Sequence, residues 1–216
     1  MNELLSIDAD LLLAVNGWRS TGADTFMWVF SGKFIWIPLY VSLAFVIWRS
    51  VGWRMALGCL VTVALTITLA DQTAGSLLRP IFQRLRPSNL QNPLSEFVQV
   101  VHDYRGGSYG FPSCHAANTF GLAFFLFYTL RHRRLTIFIF LWAGLTCYSR
   151  AYLGVHYPGD LVAGAVVGFL SATICYSLLR LILHYHPACQ VRFSWLPIAV
   201  GAATTLGILI YAFLPS

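Results

Sequence analysis

Long apolar runs separated by polar connections dominate the pattern of hydrophobic and polar positions along the chain. Most of these runs reach the roughly 17–25 residues that an α-helix needs to cross the hydrocarbon core of a bilayer, and the fourth is the shortest. The pattern predicts an all-α fold, a bundle of six transmembrane helices. The predicted spans are Phe26–Trp48, Trp53–Leu78, Ser113–Leu130, Leu135–Tyr148, Asp160–Leu183 and Trp195–Leu214.

A shorter apolar-rich stretch, from Leu4 to Trp18, precedes the first predicted span and is interrupted by Asp8, Asp10 and Asn16. It lacks the basic start and the small-residue cleavage site of a secretory signal peptide. We therefore interpret it as an interfacial helix that lies along the membrane surface.

The composition also favours a membrane protein. Of the 216 residues, 57% are hydrophobic and 10% are charged, whereas a soluble domain carries about 25% charged residues. The net charge of +6 comes from basic residues that stand singly or in short groups between apolar runs. Nucleic-acid binders instead cluster such residues on a polar surface. We expect no nucleic-acid partner, and nothing indicates an obligate protein partner.

The five cysteines form no CxxC pair, and their number is odd, so the sequence predicts neither a zinc site nor a disulfide framework. They are Cys59, Cys114, Cys147, Cys175 and Cys189.

One long polar connection, from Arg79 to Pro112, contrasts with the shorter connections elsewhere, and a loop of this length is usually functional or disordered. Six spans place it on the same side as the termini and the 149–159 turn. The connections near 49–54, 131–134 and 180–194 hold arginines and no acidic residue. The positive-inside rule makes that second side cytoplasmic. The long loop, and the chemistry with it, then faces outward.

Three segments on the outward side combine arginine, histidine and helix starts: 79–87, 112–115 and 149–160. Arginines at membrane-helix ends are unfavourable unless an anion accompanies them, and guanidinium groups suit bidentate capture of phosphate oxygens. Ser113 precedes an apolar run, at the position of a helix N-cap. The free N–H groups of such a helix start favour a bound phosphate.

Two histidines stand at two of these helix starts. Asp160 follows His156 by four residues and could hold that imidazole in one tautomer while stabilising its positive charge, as the acid of a serine-protease triad does. His115 has no such acid behind it. This difference suggests that one histidine is a nucleophile and the other a general acid.

The three segments resemble the motifs of the type 2 phosphatidic acid phosphatase superfamily, which includes bacterial membrane lipid phosphatases. The family pattern is Lys, six residues, then Arg-Pro; Pro-Ser-Gly-His; and Ser-Arg, five residues, His, three residues, Asp. Here Arg79 replaces the lysine before Arg86-Pro87, and Cys114 replaces the glycine. The third motif matches at every position, from Ser149-Arg150 to Asp160.

The resemblance implies a single membrane phosphatase domain, residues 1–216, with an active-site core at about 55–183. It implies a two-step phosphoryl transfer without a metal or another cofactor. His156 would attack phosphorus and form a phosphohistidine, Asp160 would orient it, and His115 would protonate the departing oxygen before water releases phosphate. The groups that would hold the equatorial oxygens are Arg79, Arg86, Arg150, Ser113 and the backbone N–H of Cys114.

The expected substrate is a lipid phosphate or diphosphate at the periplasmic face of a bacterial inner membrane, and the outward-facing site favours undecaprenyl diphosphate or a lipid A-type lipid. A phosphatidylglycerophosphate phosphatase and a lipid phosphotransferase stay open. An anion transporter is a distant alternative, because it requires polar residues deep in several spans, whereas here they gather near one surface. Asp71, within the second span, is a functional candidate, a partner of Arg79 or part of a polar helix contact.

Overall fold

The computed structural model describes residues 2–188 and 190–214, so Cys189 lies outside the described residues. The predicted all-α fold is confirmed, and pairing of strand type among the described residues is limited to one isolated bridge between Leu85 and Tyr109. The α-helices are α1 (Asn2–Asn16), α2 (Thr21–Phe30), α3 (Ile37–Val51), α4 (Trp53–Gln72), α5 (Arg79–Phe82), α6 (Cys114–Leu130), α7 (Arg133–Tyr152), α8 (Pro158–Leu183) and α9 (Trp195–Phe213).

Within the described residues, four helical segments are long and apolar enough to cross a membrane. They are Phe34–Val51, Trp53–Phe82, Pro158–Leu183 and Trp195–Phe213. Large apolar side chains point outward from them, including Leu170 and Leu181 of α8, and such a surface is stable in lipid. The chain is therefore a multi-pass membrane protein. Helix α6 is apolar but has 17 residues, and α7 has 20 residues, so the count of six spans stays a prediction.

The first predicted span, Phe26–Trp48, is wrong as a single helix. Helix α2 ends at Phe30, a short 3-10 helix follows at Phe34–Trp36, and α3 begins at Ile37. Glycine is a poor helix former, and Gly32 lies in this break. Pro38 stands in the first turn of α3, where its missing N–H does no harm. The helical segment suited to crossing therefore starts at Phe34.

The second predicted span continues further than its predicted end at Leu78. A π-helical turn at Thr73–Leu78 joins α4 to α5, so the helical segment runs to Phe82. Turns of this type occur mostly inside α-helices and often at functional sites. The predicted loop from Arg79 to Pro112 is correspondingly helical over its first four residues. In the N-terminal stretch the predicted helix is present as α1, and its position along the membrane surface stays a prediction.

Glycines on α8 let α6 approach closely. A Cβ atom at Gly164 would collide with the carbonyl oxygen of Ser113, and one at Gly168 would collide with that of Ala117. Small residues at such an interface let two membrane helices pack backbone to backbone. The close packing holds the N-terminal ends of α6 and α8 side by side, and the second and third sequence motifs lie at these two ends.

The connection at 83–113 folds back against the same end of the bundle. Its two arms are joined by Gly110 N–H donating to Arg84 O at 2.9 Å and by Arg86 N–H donating to Ser108 O at 3.1 Å. A Cβ atom at Gly110 would lie 3.0 Å from an oxygen of Asp160. The absence of a side chain at Gly110 therefore allows this loop to cover the start of α8.

Candidate active site

The residues from the three motifs lie at one end of the helix bundle. Arg79 begins α5, His115 is in the first turn of α6, Arg150 is in the last turn of α7, and Asp160 is in the first turn of α8. His156 lies in the short turn between α7 and α8. Arg79 of the first motif donates to the Pro112 carbonyl oxygen of the second, and Arg86 of the first donates to the Val155 carbonyl oxygen of the third.

The His156 imidazole is 1% exposed and has a defined orientation. Its Nε2 lies 3.0 Å from Nη1 of Arg86. Because a guanidinium group only donates hydrogen bonds, Nε2 must carry the lone pair, and the proton of the neutral ring must be on Nδ1. Nδ1 faces Oδ2 of Asp160 at 3.5 Å, which is longer than an ordinary N–H···O bond. The predicted histidine–aspartate pair is therefore adjacent but loosely joined.

The Asp160 carboxylate is fully buried and is held on both oxygens. Oδ1 accepts a hydrogen bond from Arg84 at 2.9 Å, and Oδ2 accepts one from the backbone N–H of Tyr157 at 3.0 Å. Arg84 also donates to Asp8 of α1 at 2.7 Å, and its guanidinium stacks on the Tyr157 ring at 3.9 Å. Asp8 in turn accepts from Gly159 N–H at 2.7 Å. An ionic network thus ties α1 to the start of α8.

Arg84 and Asp8 are the residues at this site that the sequence analysis missed. Arg84 lies in the segment 79–87 but was given no role, and Asp8 was named only as an interruption of an apolar stretch. A weak signal existed for Arg84, because it stands two residues before Arg86 in a segment already singled out. No local signal existed for Asp8, since its partner Arg84 is 76 residues away.

Two of the three predicted phosphate-binding arginines are buried, and Arg79 is half-buried. Arg86 is 7% exposed and donates to the carbonyl oxygens of Tyr109 and Val155. Arg150 is 4% exposed and donates to Ser31 Oγ at 3.3 Å. Nε of Arg79 and Nε of Arg150 are buried and lack a hydrogen-bond partner in the described part of the chain. Buried donors of this kind are rare in proteins and call for an acceptor.

The start of α6 adds polar groups to the same region. Ser113 is fully buried and is the N-cap, because its Oγ accepts from Ala116 N–H. Its backbone N–H donates to the Asp160 carbonyl at 3.0 Å. Cys114 is the first residue of α6 and is not among the described residues with positive φ. A side chain is therefore tolerated where the family pattern has glycine.

His115 lies between the charged region and an apolar cavity. It is within electrostatic range of Arg86, Arg150 and His156. It also lines a cavity of about 390 Å³, with Lys33 and Asn118 as the other strongly polar lining residues. The remaining wall is mostly apolar and comes from α3, α4, α6 and α7, including Leu43, Leu60, Val63, Leu122 and Trp142. Asp71, close by on α4, accepts a hydrogen bond from Asn118 at 2.9 Å and so joins α4 to α6.

Burial and the nearby arginines together keep the His156 imidazole unprotonated. Burial, and then the charges of Arg86, Arg150 and Arg79, hold the pKa of His156 well below its ordinary value. The pKa of Arg86 is lowered to about 10 by burial and by Arg79 and Arg150. At neutral pH the site therefore contains a neutral imidazole among charged guanidinium groups, a combination that attracts an anion and offers it a nucleophile.

The family model of the PAP2 superfamily matches residues 55–184. The chain belongs to the PAP2 superfamily. It is 46% identical over the whole of both chains to a lipid A 4'-phosphatase of Bacteroides thetaiotaomicron. It is 32% identical to a lipid A 4'-phosphatase of Porphyromonas gingivalis, over 82% of this chain and 75% of that one.

A solved PAP2 structure has the same fold. The crystal structure of a transmembrane PAP2-type phosphatidylglycerolphosphate phosphatase from Bacillus subtilis superposes with a TM-score of 0.62 at 23% identity, over 86% of this chain and 90% of that one. Together with the curated relatives, this PAP2 membership confirms the resemblance stated above. The protein is a membrane lipid phosphatase.

Proposed function

We propose that this PAP2 protein removes the 4'-phosphate of a lipid A-type lipid at the periplasmic face of the inner membrane, through a phosphohistidine on His156. The observation that carries the proposal is the environment of His156. Its Nε2 lone pair points toward Arg86, and its Nδ1 faces Asp160. The charges of Arg86, Arg150 and Arg79 all act on its ring.

In the first step, the phosphate takes the place of Nε2 as the acceptor for Arg86, which frees the Nε2 lone pair of His156. That lone pair forms a bond to phosphorus while the bond from phosphorus to the lipid oxygen breaks. The ring becomes positively charged, and the long Nδ1 contact to Asp160 shortens, as catalytic hydrogen bonds often do once substrate is bound. His115 gives its proton to the departing lipid oxygen. In the second step, His115 accepts a proton from water, the water oxygen attacks phosphorus, and the N–P bond breaks to release phosphate.

Arg79, Arg86 and Arg150 would neutralise the charge on the equatorial oxygens, with Ser113 and the N–H of Cys114 as further donors. Such fixed positive charge is the main source of catalysis in phosphoryl transfer. The buried Nε–H groups of Arg79 and Arg150, which have no partner among the described residues, favour this role. Because arginines supply the charge here, the proposed reaction needs no metal ion.

The apolar cavity beside His115 supports a substrate with acyl chains. His115 lines it, and most of its wall comes from α3, α4 and α6, so a lipid whose phosphate reaches the site could place a chain there. The choice of the lipid A 4'-phosphate comes from the two relatives, one of which matches this chain over its full length. The periplasmic orientation comes from the arginines at the opposite end: Arg49, Arg54, Arg131, Arg133, Arg134, Arg180 and Arg192.

A substrate panel with purified protein tests the proposal. Phosphate release is measured from lipid A, undecaprenyl diphosphate and phosphatidylglycerophosphate, with and without a chelator, and the lipid A product is mapped by mass spectrometry. We expect loss of the 4'-phosphate, unaffected by chelation, inhibited by vanadate and abolished in His156→Ala. Faster turnover of undecaprenyl diphosphate or phosphatidylglycerophosphate would refute the substrate assignment, and loss of activity on chelation would refute the metal-free mechanism.

The orientation is tested separately with a cysteine at Leu90, an exposed position of the long loop. A membrane-impermeant maleimide should label Leu90→Cys from the periplasmic side of intact cells with a permeabilised outer membrane. Labelling only after the inner membrane is opened would place the site in the cytoplasm. Phosphate transfer to added alcohols in place of water would favour the phosphotransferase alternative.

A further inference from the structure

The two positions at which this chain departs from the family motifs are in direct contact. Nη2 of Arg79 donates to Cys114 Sγ at 3.0 Å and to the Pro112 carbonyl oxygen at 3.1 Å. These two acceptors use both hydrogens of Nη2. They fix the plane of the guanidinium group while its buried Nε–H stays without a partner in the described chain.

We infer that Cys114 is a positioning residue for Arg79, and that the two side chains work as a matched pair in place of lysine and glycine. The inference rests on the proposed role of Arg79 in binding phosphate. It goes beyond that role because it gives a function to the thiol, where the sequence analysis used only the backbone N–H of Cys114.

The thiol is held in one orientation by the helix that carries Arg79. A Cβ atom at Gly75, in the π-helical turn before Arg79, would lie 3.1 Å from Cys114 Sγ. The thiol hydrogen points to the Asp71 carbonyl oxygen at 3.9 Å, so a lone pair of sulfur is left for Arg79. The sulfur atom therefore links the end of α4 to the arginine of the first motif.

Size explains why the two departures occur together. An arginine is longer than a lysine and carries a flat group with five donors, which must be oriented before it can bind a phosphate oxygen. Glycine at position 114 would remove one of the two acceptors that orient Nη2. A lysine at position 79 would lack the second nitrogen of the fork and would leave the thiol without its donor.

A double-mutant cycle tests the pair, with kcat/KM for the best lipid substrate and the inhibition constant of orthovanadate as readouts. Because a hydrogen bond to a charged donor is involved, Cys114→Gly and Arg79→Lys should each lower kcat/KM about tenfold or more. The double variant should recover to within about threefold of the wild type, as coupled residues do. Vanadate affinity should follow the same order.

Two controls separate positioning from general damage to the fold. Cys114→Ser keeps an acceptor for Arg79 and should stay within about threefold of the wild type. Cys175→Ala removes a buried thiol of α8. Its effect on kcat/KM and that of Arg79→Lys should simply multiply when the two are combined, because the residues are not coupled. Thermal unfolding in detergent checks that each variant is folded.

The inference is wrong if the two single effects multiply in the double variant, or if Cys114→Ser is as impaired as Cys114→Gly, while the wild type remains active. A wild type that neither releases phosphate nor binds orthovanadate would instead refute the proposed function, and the pair would lose its role with it.

Discussion

Arg84→Gln should weaken both the fold and the catalytic centre, because it removes the partner of a fully buried carboxylate. Asp160 is fully buried, and Arg84 supplies the partner of its Oδ1 at 2.9 Å. Removing one member of a buried ion pair costs about 3–5 kcal/mol. Arg84 is 21% exposed, so water can partly replace it, and we expect a loss of about 2 kcal/mol in the free energy of unfolding.

The catalytic effect follows from the position of Asp160 behind His156. Once Oδ1 loses Arg84, the carboxylate can turn away from Nδ1, and the positive charge that develops on the imidazole is less stabilised. We expect kcat to fall about ten- to a hundredfold, because a displacement of about 1 Å at a catalytic group can cost about a hundredfold in rate. Substrate binding should change less, since Arg84 is not among the groups proposed to hold phosphate.

The assay combines phosphate release with thermal unfolding in detergent. Arg105→Gln is the matched control, because Arg105 lies in the same loop and, within the described residues, donates only to the Ser88 carbonyl oxygen. The double variant Arg84→Gln/Asp160→Asn should regain part of the lost stability, because the fully buried charge at position 160 is gone and Asp8 keeps its hydrogen bond from Gly159 N–H. It should stay inactive. If Arg84→Gln has the same melting temperature and the same kcat as Arg105→Gln, the ionic network contributes nothing and the reasoning is refuted.

Three further predictions concern the nucleophile, the helix packing and the cavity. Because burial and the arginines keep the pKa of His156 well below about 6.5, its imidazole stays unprotonated as the pH falls through that value. Single-turnover phosphoenzyme formation should show no loss of rate there, and a break near pH 6.5 would show ordinary titration. Gly168→Leu should lower the melting temperature strongly, because its side chain meets the α6 backbone, whereas Gly144→Ala, with open space around it, should not. Ala44→Trp should fill the cavity and raise KM for long-chain lipid phosphates while hydrolysis of a water-soluble aryl phosphate is unchanged; equal effects on both substrates would contradict an acyl-chain site.

The sequence predicted the parts of the fold that depend on local patterns. Apolar runs marked most of the helices to within a few residues, because lipid imposes a length on every crossing segment. The break at residues 31–33 was missed, since hydropathy does not respond to backbone conformation. At that break the Trp36 side chain donates to the Phe30 carbonyl oxygen at 2.8 Å. A hydropathy average over a window of residues cannot predict such a contact.

The candidate site shows the same division between local and distant information. Motif spacing brought His156 and Asp160 together as a prediction, because an acid four residues after a histidine is close enough along the chain to orient it. The role of Asp8 could not be predicted, since it depends on how α1 packs against the bundle. The contact of Arg79 with Cys114 could not be predicted either, because 35 residues separate the two positions along the chain.

Helix α1 meets the site through Asp8 on one side and presents Leu5, Ile7 and Leu11 outward on the other. If α1 lies along the membrane surface as predicted, lateral pressure from neighbouring headgroups can shift it. Such a shift is passed on through Asp8 and Arg84 to Asp160, the acid behind the nucleophile. Turnover should then respond to membrane crowding and curvature, and it should differ between nanodiscs and detergent. Asp8→Asn should make the enzyme slower and indifferent to that change of surroundings.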